Sequence, residues 1–288
     1  MKERNFIKIE KDLKQIVDML LLNGTLTECP GLVHGKMGIA IFFFHYAQFS
    51  GNELFADYAM DVIGEMLDQI HVNSSADYEK GIAGIGIGID YLIRNNFLSV
   101  EDDICEDFDE RMIKAVIYDS YLDFSKYSGI IGCGRYWMTR LHYQSSSMSA
   151  RECLLHIIEQ IEVKLTNISD TEQTDVYCFL HDLQKRSGFD RSILEQYREK
   201  WNLPTLDVIQ RLPHFGNSVV SDVVCIYHSN RYFNSNLLST VDIALKQIPD
   251  LDMEKAPAGT GLLNGYAGEG MLRLTALDQT IMSWMELL

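Results

Sequence analysis

Two kinds of apolar pattern alternate along the chain. In the first, apolar residues recur every three or four positions with polar residues between them. Ile9, Leu13, Ile16, Val17 and Leu20 form one such set, and Leu154, Ile157, Ile158, Ile161 and Leu165 another. That spacing gathers them on one face of a helix and predicts outer helices with one wet side. The second kind is apolar on all sides: Ile39 to Phe44, Ile85 to Ile93, Tyr136 to Leu141 and Met271 to Leu277. Such segments have no face to give to water, so they predict buried inner helices.

A G-x-x-G step precedes every inner segment, at Gly35 and Gly38, Gly81 and Gly84, Gly129 and Gly132, and Gly265 and Gly268. Successive first glycines are 46, 48 and 136 residues apart. The last interval is close to three units of about 45, the length of a two-helix repeat. Two degenerate repeats are therefore expected near residues 174 and 219, for about six helical hairpins in all. An open stack of hairpins needs polar caps at both ends, yet the last turn, Gly261-Leu-Leu-Asn-Gly265, is as apolar as the first. The expected fold is thus all-α, an α/α toroid whose glycine-rich turns open the inner helices. In that ring the eight glycines are expected to allow positive φ and close backbone approach. The helix N-termini are expected to point free N–H groups into a shared binding cavity.

Only five prolines and no Gly/Ser linker interrupt the 288 residues, which predicts a single domain over 1–288. The stretch Met1 to Leu22 carries Lys8, Glu10, Lys11, Asp12, Lys14 and Asp18. Neither a secretory segment nor a membrane span tolerates that many charges, so the expectation is a cytoplasmic protein without a membrane span. Basic residues number 25 against 41 acidic ones, a formal charge of −16. That balance repels nucleic acid and anionic lipid and attracts cationic peptides. Seven acids in the ten residues Glu101 to Glu110 read as the first turns of a helix, stabilised by its positive end. The six cysteines lie far apart with no C-x-x-C pair, which predicts reduced, mostly buried thiols.

Taken together, Gly31-Leu-Val-His-Gly35-Lys-Met-Gly38, Lys80-Gly-Ile-Ala-Gly84, Ser128-Gly-Ile-Ile-Gly132 and Gly261-Leu-Leu-Asn-Gly-Tyr-Ala-Gly268 resemble the lanthionine synthetase C-like family over nearly the whole chain. The resemblance implies an α/α toroid acting in peptide maturation. Bacterial members use zinc to activate cysteine thiols of a precursor peptide for thioether formation, which suits zinc because bound thiolate persists near neutral pH. It implies a precursor peptide or a peptide-modifying enzyme as partner. By the same resemblance Cys178 corresponds to the first zinc cysteine and His214 to the zinc histidine, while Pro213 stands where a second cysteine belongs. Catalytic zinc needs three protein ligands, so the balance is against a bound zinc and against retained cyclase activity. Cys225 and His228, i and i+3 on one predicted helix face, are the candidate substitutes. The family usually shows seven hairpins where this chain has about six.

His34, just before the first glycine turn, is the remaining candidate acid or base beside His214. Asp90, Asp182, Arg135 and Glu269 follow inner-helix turns and are expected near the cavity, with Arg135 paired to a carboxylate. Two rival functions stay open. One is a carbohydrate hydrolase on the same fold, needing two carboxylates such as Asp90 and Glu269. The other is a catalytically silent peptide-binding module.

Overall fold

The computed structural model describes residues 2–71, 73–99, 105–119, 123–143, 147–164, 167–185, 218–233, 241, 245–246, 248–251 and 259–288. The regular elements among these residues are all helices, with no strand. Ten α-helices follow in order: α1 Lys2–Asn23, α2 Lys36–Ser50, α3 Leu54–Leu67, α4 Ile82–Arg94 and α5 Glu106–Ile117 lead. Then come α6 Ile130–Tyr143, α7 Met148–Lys164, α8 Asp170–Gln184, α9 Val219–Phe233 and α10 Tyr266–Leu277, before a 3-10 helix, Gln279–Leu287. No helix among the described residues is long and apolar enough to cross a membrane.

Packing divides the chain into two compact units. One comprises Met1–His71, Arg94–Phe97 and His214–Leu288; the other comprises Val72–Ile93 and Leu98–Pro213. In the first, α2 is buried from Lys36 through Ala47, as its unbroken apolar run predicts. The amphipathic α1 turns Leu13, Ile16, Val17 and Leu20 inward, and α3 does the same with Ala59, Val62, Ile63 and Met66. Helix α10 packs on α1, α2 and α9, and Trp284 of the 3-10 helix donates its indole N–H to the Thr275 hydroxyl at 2.8 Å. In the second unit α4 is buried from Ile82 to Leu92 and α6 packs on α5, α7 and α8. The second part of the acidic run opens α5, with Glu106, Asp107 and Asp109 in its first turn, where the helix dipole favours them; Glu101 to Asp103 lie outside the described residues.

One hydrogen bond recurs at every marked turn. The first residue of each inner helix donates its backbone N–H to the carbonyl seven residues upstream. Lys36 reaches Cys29 at 2.9 Å, Ile82 reaches Ser75 at 2.9 Å, Ile130 reaches Asp123 at 3.4 Å and Tyr266 reaches Gly259 at 3.1 Å. These helix N-termini are therefore closed by their own loops rather than open to a cavity, contrary to the expectation of free N–H groups. Positive φ is not the reason for the glycines either. Gly35 and Gly265 are extended, at φ −130° and −144°, and among the described glycines only Gly51, the C-cap of α2, has φ above zero. Close approach is the reason. A Cβ on Gly268 would fall on the Leu262 carbonyl oxygen, and one on Gly132 would lie 2.5 Å from that of Lys126.

The loops also dock on one another in a fixed register. Leu262 and Leu263 N–H donate to Val33 O at 2.8 and 3.3 Å; Tyr78 and Glu79 N–H donate to Tyr127 O at 3.0 and 3.1 Å. Leu262 and Tyr78 each precede the first glycine of their turn by three residues, and Val33 and Tyr127 by two. The last turn thus sits on the first as the second sits on the third. From α9, the Ser218 hydroxyl reaches Leu263 O, the same acceptor position on the last turn, at 3.4 Å.

Each unit also holds a buried ion pair. Arg273, 1% exposed, donates Nε to Asp12 at 3.0 Å, one guanidinium nitrogen to Glu269 at 2.5 Å and the other to Pro249 O at 3.2 Å. In the second unit Arg140 grips Asp109 through Nε at 3.0 Å and a terminal nitrogen at 2.8 Å, while the Tyr136 hydroxyl adds a bond of 2.6 Å.

Gly268→Val and Gly132→Val are each expected to lower unfolding free energy by about 3 kcal/mol or to prevent folding, since neither backbone carbonyl can retreat. Gly64→Ala, on an exposed face of α3 with no atom near the new Cβ, should instead raise it by about 0.5–1 kcal/mol. Denaturant titration of the three variants checks both signs. Arg273→Met should cost about 3–5 kcal/mol by leaving Asp12 and Glu269 buried without their cation.

Candidate functional site

The fourth hairpin shows where the repeat changes character. Lys126 stands three residues before Gly129, the position of Tyr78 and Leu262, yet its backbone N–H donates to the Asp175 carboxylate, at 2.8 Å. Phe124 N–H donates likewise to Glu172 at 2.7 Å. Helix α8 has no glycine turn; it starts on a capping box in which the Ser169 hydroxyl and the Glu172 carboxylate each satisfy the other's backbone N–H. Carboxylates on its first turns then offer the acceptors that a loop carbonyl provides elsewhere.

Ring contacts fix the register of α8. Phe42 covers Gly270, Tyr136 covers Gly86 and Phe179 covers Gly134. Phe42 and Tyr136 lie seven residues after the first glycine of their turns, so Phe179 makes Glu172 the counterpart of a first glycine and Asp175 of a second. That is two residues before the expected position 174. One position further in, the comparison becomes informative. Six residues after the first glycine stand Ile41, Ile87 and Met271, all buried. At the third turn that position is Arg135, and in α8 it is Cys178. Two residues singled out in the sequence therefore occupy one repeat position, at the junction where the core changes from apolar to polar.

Around this junction stand Tyr78, Lys126, Tyr127, Arg135, Asp175, Cys178 and Asp182. The Arg135 guanidinium lies 4.8 Å from the Tyr78 ring centroid, and Lys126 Nζ lies 5.7 and 5.3 Å from those of Tyr78 and Tyr127. Tyr78 is wholly buried, while the other six are half-buried. Burial dominates their titration: it pushes the Tyr78 and Tyr127 hydroxyls and the Cys178 thiol up and Lys126 well down. Asp175 is pushed up to about 6 by burial, against the opposing pull of its Lys126 hydrogen bond and of the Lys126 and Arg135 charges. Arg135 lies over the Tyr78 ring and hydrogen-bonds its side chain, and its charge opposes the upward push on Asp175. Asp182, one turn on, lies 3.6 Å from Lys185 and 3.7 Å from His181.

The other candidates fall elsewhere. His34 is half-buried in the first turn, its backbone against Gly261, and belongs to the first unit with Gly35, Gly38, Gly265 and Gly268. Gly81, Gly84, Gly129, Gly132 and Arg135 belong to the second. Glu269 is held by Arg273. Asp90 is buried on α4, and His228 stacks on Tyr232 at 5.7 Å. His214 and Pro213 lie outside the described residues. Cys178 lies well inside α8 rather than at a helix-opening turn. Its neighbours are the carboxylates Asp175 and Asp182 together with Lys126 and Arg135, and among the described residues no three His, Cys, Asp or Glu side chains converge as metal ligands. The described residues thus hold at most part of the ligand set that the resemblance implies, His214 lying outside them. Lys126, Tyr78, Tyr127 and Asp175 escaped the sequence reading; the available signal was Lys126, a charge where the other turns place Leu32, Tyr78 and Leu262.

No protein-family model matches the chain, and neither does any curated protein.

A folded value near 6, above the ordinary 3.8, means that ionising Asp175 opposes folding. The stability gained from its bound proton is full below 3.8 and is lost as pH rises through about 6. Asp175→Asn should remove this dependence. Its stability relative to the parent should rise by about 1 kcal/mol between about pH 5 and about pH 7, or roughly 2–4 °C in melting temperature. Thermal melts of both proteins across that interval check it.

Proposed function

We propose that this chain is a diverged lanthionine synthetase C-like protein, an α/α toroid that holds a precursor peptide, or an enzyme modifying one, without closing thioether rings itself. The supporting observation is the shared turn register: the last glycine turn docks on the first as the second docks on the third, which is what a ring of such hairpins requires. Against catalysis stand the helix-interior position of Cys178 and the burial that, with Asp175 and Asp182 beside it, keeps its thiol protonated. For the carbohydrate-hydrolase reading, Glu269, one of the two carboxylates that could serve, is committed to Arg273. The charge of −16 favours a cationic peptide.

A synthetic lysine-rich peptide carrying one cysteine and one dehydroalanine tests the reading. Binding is expected, weakening several-fold as ionic strength rises from about 0.01 M to about 0.15 M and the screening length shrinks from roughly 30 to roughly 8 Å. The peptide's free thiol should persist throughout. Its disappearance with ring formation would restore the cyclase assignment, and absence of binding at low salt would remove the peptide-holding one.

A further inference from the structure

Helix α7 has two apolar sides. It packs on α5 and α6 and buries Ala150, Cys153, Leu154, Ile157, Ile158 and Ile161. Its exposed residues are Met148, Glu152, Leu155, Glu159, Glu162 and Val163. The first five follow one another in steps of four, three, four and three, and Val163 adjoins them. That is the spacing of a seam along which a second helix lies. Met148, Leu155 and Val163 are 73%, 55% and 79% exposed. A wet face does not need them: the exposed residues of α5 are Glu106, Asp107, Glu110 and Lys114, all charged. The outer seam of α7 is instead half apolar and half carboxylate, and none of its exposed residues is a cation.

A cavity of about 260 Å³ lies beside this seam, between α5 and α7. His156, Gln160 and Lys164 of α7 line it together with the buried Val116, Phe124 and Ile130. His156 stands seven residues before Val163 and therefore on the same side of the helix, which makes seam and cavity continuous. The volume is below the roughly 300–1,000 Å³ of small-molecule pockets and suits one large side chain. Lys164 Nζ rests 5.7 Å from the Phe124 ring centroid, and Asp119 and Asp123 also line the space.

We propose that the outer face of α7 docks a cationic amphipathic helix. Its apolar stripe lies on Met148, Leu155 and Val163, its lysines or arginines lie beside Glu152, Glu159 and Glu162, and one large apolar side chain enters the cavity. Exposed ion pairs are weak, so the apolar contacts supply the affinity and the three carboxylates select a partner of opposite charge. The proposal rests on the peptide-holding reading and gives the peptide its place and its conformation.

The probe is a synthetic helical peptide of 17 residues, the length of α7, with leucines every three or four positions, lysines flanking them and one central phenylalanine. Its binding to the full-length protein is read by fluorescence anisotropy. Glu152→Lys, Glu159→Lys and Glu162→Lys together should weaken binding about tenfold or more. Asp57→Lys, Asp61→Lys and Asp68→Lys make the same change of charge at exposed positions of α3 and should weaken it about threefold at most. Replacing the peptide's phenylalanine by alanine should cost several-fold, and two central prolines, which break its helix, about tenfold. Equal losses from the α3 and α7 variants, or equal binding of the proline-containing peptide, would overturn the docking face while the protein still holds a peptide. No binding of the helical probe to the parent protein would overturn it as well, and the peptide-holding reading would then be decided by the thiol peptide alone.

Discussion

At Gly38, Gly132 and Gly268 a backbone carbonyl six residues upstream fills the space where a side chain would begin. The contact is a consequence of how each inner helix starts. Its first N–H bonds seven residues back, so the preceding loop folds over the helix end and lays its own carbonyls against the first turn. Only a residue without Cβ admits them. Once the loop is held there, the positions three and two residues before the first glycine face outward along the backbone, and neighbouring loops meet through them. Small residues five positions after the first glycine then receive the aromatic ring of the next helix. Helix start, loop closure and repeat register thus follow from one steric condition, which explains how turns so far apart in sequence keep the same geometry.

Where that condition is dropped, side-chain chemistry takes over the same task. Helix α8 has Glu172 and Asp175 where the other repeats have glycine, and their carboxylates accept the backbone N–H groups of the third loop. A carbonyl acceptor is neutral, whereas a carboxylate brings charge into a half-buried junction and must be balanced there. Arg135 and Lys126 supply that balance. Their surroundings push Asp175 up and Lys126 down, so the junction holds groups that change protonation far from their ordinary range. Perturbed, accessible groups beside a relaxed repeat rule are the combination from which functional sites are built.

Much of this architecture was legible in the sequence. All-round apolar runs gave the inner helices, three-four spacing gave the wet faces of α1 and α7, and the glycine spacing placed the fourth hairpin within two residues. What could not be read was the reason for the glycines, because a G-x-x-G step looks the same whether it serves positive φ or carbonyl packing; only the coordinates of Leu262 and Lys126 decide it. Long-range pairing was equally hidden. The i,i+4 spacing of Glu269 and Arg273 is local, but nothing in local sequence says that Asp12 joins Arg273 from the far end of the chain. Cys178 and Arg135 were visible as unusual residues, but their shared repeat position emerges only after Phe179 fixes the register of α8.

The two kinds of buried charge in this protein separate structure from chemistry. Arg273 is 1% exposed, and its guanidinium ends on two carboxylates and a backbone carbonyl. Arg140 is equally committed to Asp109. Lys126 and Arg135 are held differently, over the faces of tyrosine rings and half open to the surroundings. A ring face stabilises a cation less directionally than a carboxylate does. The distinction rests on geometry that a count of buried charges would miss.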